Sequence, residues 1–205
     1  MLLLLIRHAL TPHVGSKLSG WSSGVHLSDE GRAQADRLAE RLHDVQIDAV
    51  YSSPLDRALE TAMPVARDHK IRVRQREEIG EVKYGALEGR SLKSLAKGKI
   101  WSRLRAWPSD VRFPDGESLR ETQARALAAI EGIRAEHPKQ VVAVVSHGDW
   151  IRLSVAHYAG VHIDLYRRFN VDPVSVSAIH FFEYGPVIQL VNDTGDLSAL
   201  ARRRV

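Results

Sequence analysis

Two five-residue runs in this chain are apolar at every position, and each one leads to a histidine. Leu2-Leu3-Leu4-Leu5-Ile6 is followed by Arg7-His8, and Val141-Val142-Ala143-Val144-Val145 is followed by Ser146-His147-Gly148. A strand wetted on one face alternates apolar and polar residues. A run without alternation belongs in a parallel sheet covered on both faces. Open parallel sheets bind ligands beyond the carboxyl ends of their strands, so two histidines far apart in the chain are expected at one edge of one sheet.

A third segment leads to the same edge. Ile47-Asp48-Ala49-Val50-Tyr51 reads as a short strand running into Ser52-Ser53-Pro54-Leu55-Asp56-Arg57. Ser53 is expected to cap a helix with Pro54 at its first position, and Ala58, Thr61, Ala62 and Val65 follow at helical spacing. Arg57 then falls in or just past the first turn, where backbone amides and the positive end of the helix dipole favour an anion. Arg7, His8, Arg57 and His147 beside a helix N-terminus describe a phosphate pocket.

The rest of the chain supports this frame. At 205 residues it is expected to form one domain, residues 1–205, with a full core. It has no cysteine, which excludes disulfides and thiolate metal sites. The apolar start is far too short to span a membrane and lacks a basic leader, so a cytoplasmic location is the expectation. The formal charge of +4 is carried mainly by arginine. Arg72, Arg74 and Arg76 alternate along a strand expected over Ile71–Arg76 and are read as a solvated face, and Arg202-Arg203-Arg204 as a tail. Neither has the interleaved aromatics of a nucleic-acid surface.

Strands and helices alternate, which argues for an α/β sheet with helices on both faces. Ser28 is expected to cap a helix with Ala35, Leu38, Ala39 and Leu42 on one stripe. Ser118 and Glu121 form a capping box ahead of a helix carrying Leu119, Ala126, Ile130 and Ile133. Ile151 to Ala159 reads as a helix ended by Gly160, and Val174–Tyr184 with Val187–Val191 as a hairpin around Gly185-Pro186. The irregular stretch from Gly80 to Gly116 reads as a partly helical insertion, about residues 85–116, that covers the pocket. Trp101 and Trp107 are expected to pack within it.

Phosphate monoesters repel nucleophiles, and a covalent intermediate divides the reaction into easier steps. A neutral imidazole can attack phosphorus if its second nitrogen is held. The phosphoryl oxygens need guanidinium and imidazole donors, and the leaving alkoxide needs an acid. Arg7, His8, Arg57 and His147 supply the first set. Glu81 and Glu88 are the candidates for the acid, with Glu88 read rather as a surface carboxylate beside Gly89. His13, His26, His43, His69, His137, His157, His162 and His180 are read as ordinary surface or core residues.

These residues resemble a known family. Leu5-Ile6-Arg7-His8-Ala9-Leu10-Thr11 is similar to the signature of the histidine phosphatase superfamily, in its phosphoglycerate mutase-like branch. Tyr51 to Ala58 with Thr61-Ala62, Glu81 with Tyr84-Gly85 and Leu87-Glu88-Gly89, Phe113 to Ser118, and Val145-Ser146-His147-Gly148 with Ile151-Arg152 match further motifs in family order. Asn192 to Leu197 fits a final strand and loop, and Leu18 to Trp21 with Val25 to Ser28 resembles the bacterial probable-phosphomutase group. The resemblance implies a three-layer α/β/α sandwich around a mostly parallel sheet. It implies His8 as the phosphorylated nucleophile, Arg7, Arg57 and His147 as the phosphoryl clamp, Glu81 as the proton donor, and Thr11, Ser19, Gly20 and Gly148 on the substrate side.

The chain departs from the branch at Ala9, usually glycine, at Leu10, usually glutamate, and at Val14, where an asparagine often stands. The arginine-, tyrosine- and proline-rich stretch of true phosphoglycerate mutases is absent between Gly89 and Pro114. The expectation is therefore a metal-independent phosphomonoesterase with no cofactor, acting on a small phosphorylated substrate, with no nucleic-acid or membrane partner and an open oligomeric state. The alternatives are a phosphoglycerate-type mutase and a non-catalytic phosphate-binding module. A serine hydrolase and a metallohydrolase lack their motifs.

Overall fold

The computed structural model describes residues 1–195. The Arg202–Arg204 run and the end of the Asn192–Leu197 match lie outside them. In chain order the elements are β1 (Leu2–Arg7), α1 (Asp29–Leu42), β2 (Ala49–Ser52), α2 (Asp56–Asp68), β3 (Val73–Gln75), α3 (Leu92–Leu95), α4 (Lys99–Ala106), α5 (Leu119–Glu136), β4 (Val141–Ser146), α6 (Gly148–Tyr158), β5 (Val176–Phe182) and β6 (Gly185–Asp193).

The strands form one six-stranded sheet in the order β3-β2-β4-β1-β5-β6. β1 to β4 pair in parallel, and the β5–β6 hairpin adds two antiparallel strands at one edge. The non-alternating runs are explained by the two layers. Leu2, Leu4 and Ile6 face Leu38, Leu42, Ala58, Ala62 and Val65 of α1 and α2. Leu3 and Leu5 face Ala126, Ile130, Ile133, Trp150 and Ile151 of α5 and α6. Each fully buried leucine contributes about 2 kcal/mol of transfer free energy.

The capping motifs form as read: Ser28 accepts from the Gly31 amide, and Ser118 and Glu121 make both bonds of the capping box. Several boundaries differ. β2 and β3 are shorter than read, and β3 is an edge strand. Arg74 and Arg76 lie over the Tyr51 ring, and Arg76 pairs with Glu136, so this face is packed as well as solvated. α6 begins at Gly148, directly after β4, rather than at Ile151.

The cover over the sheet edge has an apolar cluster of its own. Leu18, Tyr84, Leu87, Leu95, Leu104, Val111 and Phe113 pack with Leu119, Leu153 and Tyr166. The loop after β1 is stitched to it: the Leu18 amide donates to Arg90 at 3.0 Å, and the Gly89 amide to Leu18 at 2.7 Å. Trp107 is 65% exposed and does not share in this packing, contrary to expectation.

Candidate active site

The register of the sheet assembles the site. Arg7 of β1 lies opposite Ser146 of β4, so His8 and His147 leave the sheet side by side. Their ring centroids are 5.2 Å apart, and the His8 amide donates to the Ser146 carbonyl at 2.9 Å. Both rings are buried.

His8 Nδ1 is 2.8 Å from its neighbour's carbonyl, Ala9 O. A carbonyl only accepts, so Nδ1 carries the hydrogen. Burial, then Arg57 and Arg7, hold the ring well below the usual histidine range, so it is neutral near pH 7. A neutral ring protonated at Nδ1 leaves the lone pair on Nε2. The loop that supplies this carbonyl is itself held: the Ala9 amide donates to Thr61 Oγ1 at 3.0 Å, and the Ala9 methyl packs with Leu27 and Ala35. Gly31 allows the close approach of α1, since a Cβ there would meet Leu10 O at 2.0 Å.

Arg57 sits in the first turn of α2 as expected, but the helix starts later than read. Leu55 is the N-cap, with no side-chain bond, and Pro54 precedes the helix. The Ser53 hydroxyl is used elsewhere: it accepts from the Leu55 amide at 3.3 Å and lies 2.8 Å from His147 Nε2. Since that hydroxyl retains one hydrogen to donate, it fits a His147 ring protonated at Nδ1.

Arg57 is only 2% exposed. Its Nη2 donates to Gly20 O at 2.7 Å, while Nε and Nη1 are buried with no partner in the protein. Arg7 donates from Nη1 to Val171 O at 2.7 Å, and its Nε is likewise unpartnered, as is His147 Nδ1. Buried donors left unpaired are costly. Arg7 and Arg57 line a cavity together with His8, and the His147 ring adjoins that of His8, so these four donors gather near it. The first turn of α6, whose N-cap His147 makes no side-chain capping bond, adds the positive end of a helix dipole.

Glu81 lies at the cavity wall. Its Oε1 accepts from the Val82 and Trp150 amides at 3.0 and 3.3 Å. Its backbone carbonyl is pinned by Trp21 Nε1 at 2.6 Å and Arg125 Nη2 at 3.1 Å. Burial and the nearby Asp149 charge push its carboxyl up to about 7. Glu88 does not line the cavity; its Oε1 accepts from the Tyr84 amide at 3.1 Å, so it organises the loop instead of lying free on the surface.

Arg7, His8, Ser19, Gly20, Arg57, Glu81 and Gly148 line one cavity; His147, expected there too, is fully buried beside His8 and is not among the lining residues. Gly20 adopts φ +49°, and a Cβ there would collide with Glu88 at 2.6 Å. Thr11 is not among the lining residues: its hydroxyl accepts from the His13 amide at 3.2 Å inside the turn. Sequence reading missed Lys17, Tyr84, Asp149, Arg152 and Arg167 as lining groups, and Trp101 joins them from the cover. Asp149 and Arg152 share a face of α6 by their i, i+3 spacing, a signal hidden while that helix was started at Ile151. Arg167 comes from a short 3₁₀ turn, Ile163–Arg168, that leaves no periodic trace. Among the described residues, no group of three or more His, Cys, Asp or Glu could hold a metal ion, and no helix is long and apolar enough to cross a membrane.

Fold and site together define an α/β sandwich whose parallel strands end at a cavity lined by Arg7, Arg57 and a neutral histidine. The chain belongs to the histidine phosphatase superfamily (branch 1), whose family model matches residues 3–194. It is 33% identical over 171 residues to phosphoserine phosphatase 1 of Hydrogenobacter thermophilus, covering 82% of this chain and 81% of that one. It is also 33% identical over 155 residues to phosphoglycerate mutase-like protein 4 of Arabidopsis thaliana, covering 73% and 67% of the two chains. Among solved structures, the alpha-ribazole phosphatase of Shigella flexneri superposes with a TM-score of 0.85 at 27% identity, covering 96% of this chain and 98% of that one.

Proposed function

We propose that the protein is a phosphomonoesterase that hydrolyses a small phosphorylated metabolite through a phosphohistidine on His8. The observation that carries this reading is the set of four unpartnered buried donors, on Arg7, Arg57 and His147, around an imidazole with its Nε2 lone pair free. In the first step Nε2 bonds to phosphorus as the P–O ester bond breaks. The Glu81 carboxyl gives its proton to the departing alkoxide. In the second step the Glu81 carboxylate takes a proton from water, whose oxygen bonds to phosphorus as the P–N bond breaks. The charge on the phosphoryl oxygens is met by guanidinium and imidazole donors throughout.

The cavity, about 190 Å³, suits a small leaving group rather than a macromolecule. Lys17, Arg152 and Arg167 at its walls favour one that carries negative charge. The cytoplasm, where such esters are made, is the proposed setting.

Hydrolysis is favoured over phosphoryl return because Val14 presents an apolar side chain to the cavity, with no amide to hold a second phosphate. The test is a panel of phosphorylated metabolites that includes phosphoserine, 3-phosphoglycerate and alpha-ribazole phosphate. Free phosphate should appear at the rate that substrate disappears. Conversion of 3-phosphoglycerate into 2-phosphoglycerate with little free phosphate would replace hydrolase by mutase. Saturable binding with no turnover of any ester would leave only a binding module.

A further inference from the structure

Glu81 shares the cavity wall with a second carboxylate, Asp149, which has no part in the chemistry above. Asp149 is the second residue of α6, and its side chain is 16% exposed. Its Oδ2 accepts from the Tyr84 phenol at 2.9 Å and from the Tyr166 phenol at 3.4 Å. Its Oδ1 accepts from Arg152 Nη1 at 2.8 Å, and Arg152 Nε donates to Phe169 O at 3.1 Å. The next residue, Trp150, gives its amide to Glu81 Oε1. One turn of helix thus holds the acid by its backbone and the cover by its side chain. Tyr84 in turn packs edge-on against Phe113, with ring centroids 4.9 Å apart, inside the apolar cluster of the cover.

We propose that Asp149 is a positioning residue that couples the cover to the acid: its carboxylate docks the Tyr84 phenol and sets a negative charge beside the Glu81 carboxyl. The proposal rests on Glu81 being the proton donor. A general acid must hold its proton at working pH, yet Glu81 faces Arg57 of α2 and Arg7 of β1, which both favour the charged form. Burial and Asp149 oppose them. Arg152 of the same helix faces both carboxylates, and the phenols of Tyr84 and Tyr166 close the remaining sides. The Tyr84 phenol, with Arg152 and Tyr166, holds the Asp149 carboxylate in place.

The experiment compares pH profiles of kcat/KM for an alkyl phosphate in the wild type, Asp149→Asn, Tyr84→Phe and Glu81→Gln, each verified as folded by circular dichroism. Asp149→Asn keeps the size and acceptor oxygen but removes the charge. Its basic limb should move down by about one pH unit, a tenfold loss of protonated acid above the limb. The deficit should be smaller on an aryl phosphate, whose leaving group needs no proton. Tyr84→Phe leaves the charge and should not move the limb down, although KM should rise. Asp149→Asn with an unmoved limb and a uniform loss on both esters would overturn the proposal and leave a packing role. If Glu81→Gln keeps the wild-type basic limb, Glu81 is not the acid, and the proposal falls with that assignment.

Discussion

The sheet edge and the cover are built on opposite plans. At the edge, reactive groups are strand-end or helix-start residues, buried or half-buried and oriented by backbone atoms: His8 by Ala9 O, Arg7 by Val171 O, Arg57 by Gly20 O. The cover has a satellite apolar cluster, short helices, an exposed Trp107, and cavity-facing groups such as Trp101 that no hydrogen bond to the edge restrains. On the proposed function, the edge takes the phosphoryl group and the cover meets what is attached to it. On that reading, the chemistry and the choice of substrate reside in separable parts of this chain, with the Tyr84–Asp149 bond as one of the links between them.

The separation can be broken most decisively at the edge. Arg57→Ala removes two unpartnered donors and a buried charge, and should lower kcat/KM by about 10³-fold on every ester tested. Arg57→Lys should recover little, because a single ammonium cannot reproduce the planar fork. Steady-state kinetics on several esters checks this. A loss confined to one substrate would place Arg57 in recognition instead of the shared phosphoryl site.

Glu81→Gln should come next, with about 10²-fold to 10³-fold loss on alkyl esters and far less on the first step with an aryl ester. Rapid-quench kinetics separates that step from phosphoenzyme breakdown. Equal losses on both esters would make Glu81 structural. The wild-type pH profile follows from the same groups. A raised carboxyl acts as acid only while protonated, so kcat/KM should fall as pH rises past about 7. His8 is held well below the usual histidine range, so the acid limb should lie far under that range. A basic limb that survives Glu81→Gln would assign it to another group.

The cover should respond differently. Trp101→Ala should change KM several-fold and reorder the ester panel while kcat on the best substrate stays within about twofold. Equal changes for all esters would deny the cover its selective role. The smallest effect expected is that of chelation. Guanidinium groups supply the positive charge at the phosphoryl site, so activity should survive exhaustive EDTA. Activity lost there and restored only by a divalent ion would require a different mechanism.

Legibility in the sequence divides along the same line. The edge was readable because its physics is local: all-apolar runs need two covered faces, and a residue just past a strand must lie at the sheet edge. What local signals left open was the register that sets His8 beside His147, which emerges only from β1–β4 pairing. The Ser53 cap was misplaced because a serine before proline looks like a helix start, while its hydroxyl here serves His147 across the fold. With the helix read from Ile151, Asp149 fell outside it, and its pairing with Arg152 of the matched motif escaped notice. In the cover, glycines, prolines and short helices leave no lasting period. Its contacts, such as Leu18 with Arg90, depend on tertiary packing that composition does not encode.

The central claim is that His8 takes the phosphoryl group on Nε2 because Nδ1 is committed to the Ala9 carbonyl. The direct measurement is to acid-quench the enzyme during turnover under conditions short enough to keep the phosphoenzyme. The adduct is then recovered under alkaline conditions and its position read by mass spectrometry and phosphorus NMR. The account predicts phosphate on Nε2 of His8 in the wild type and none in His8→Ala. Phosphate on Nδ1 of His8, or on any other residue, would contradict it.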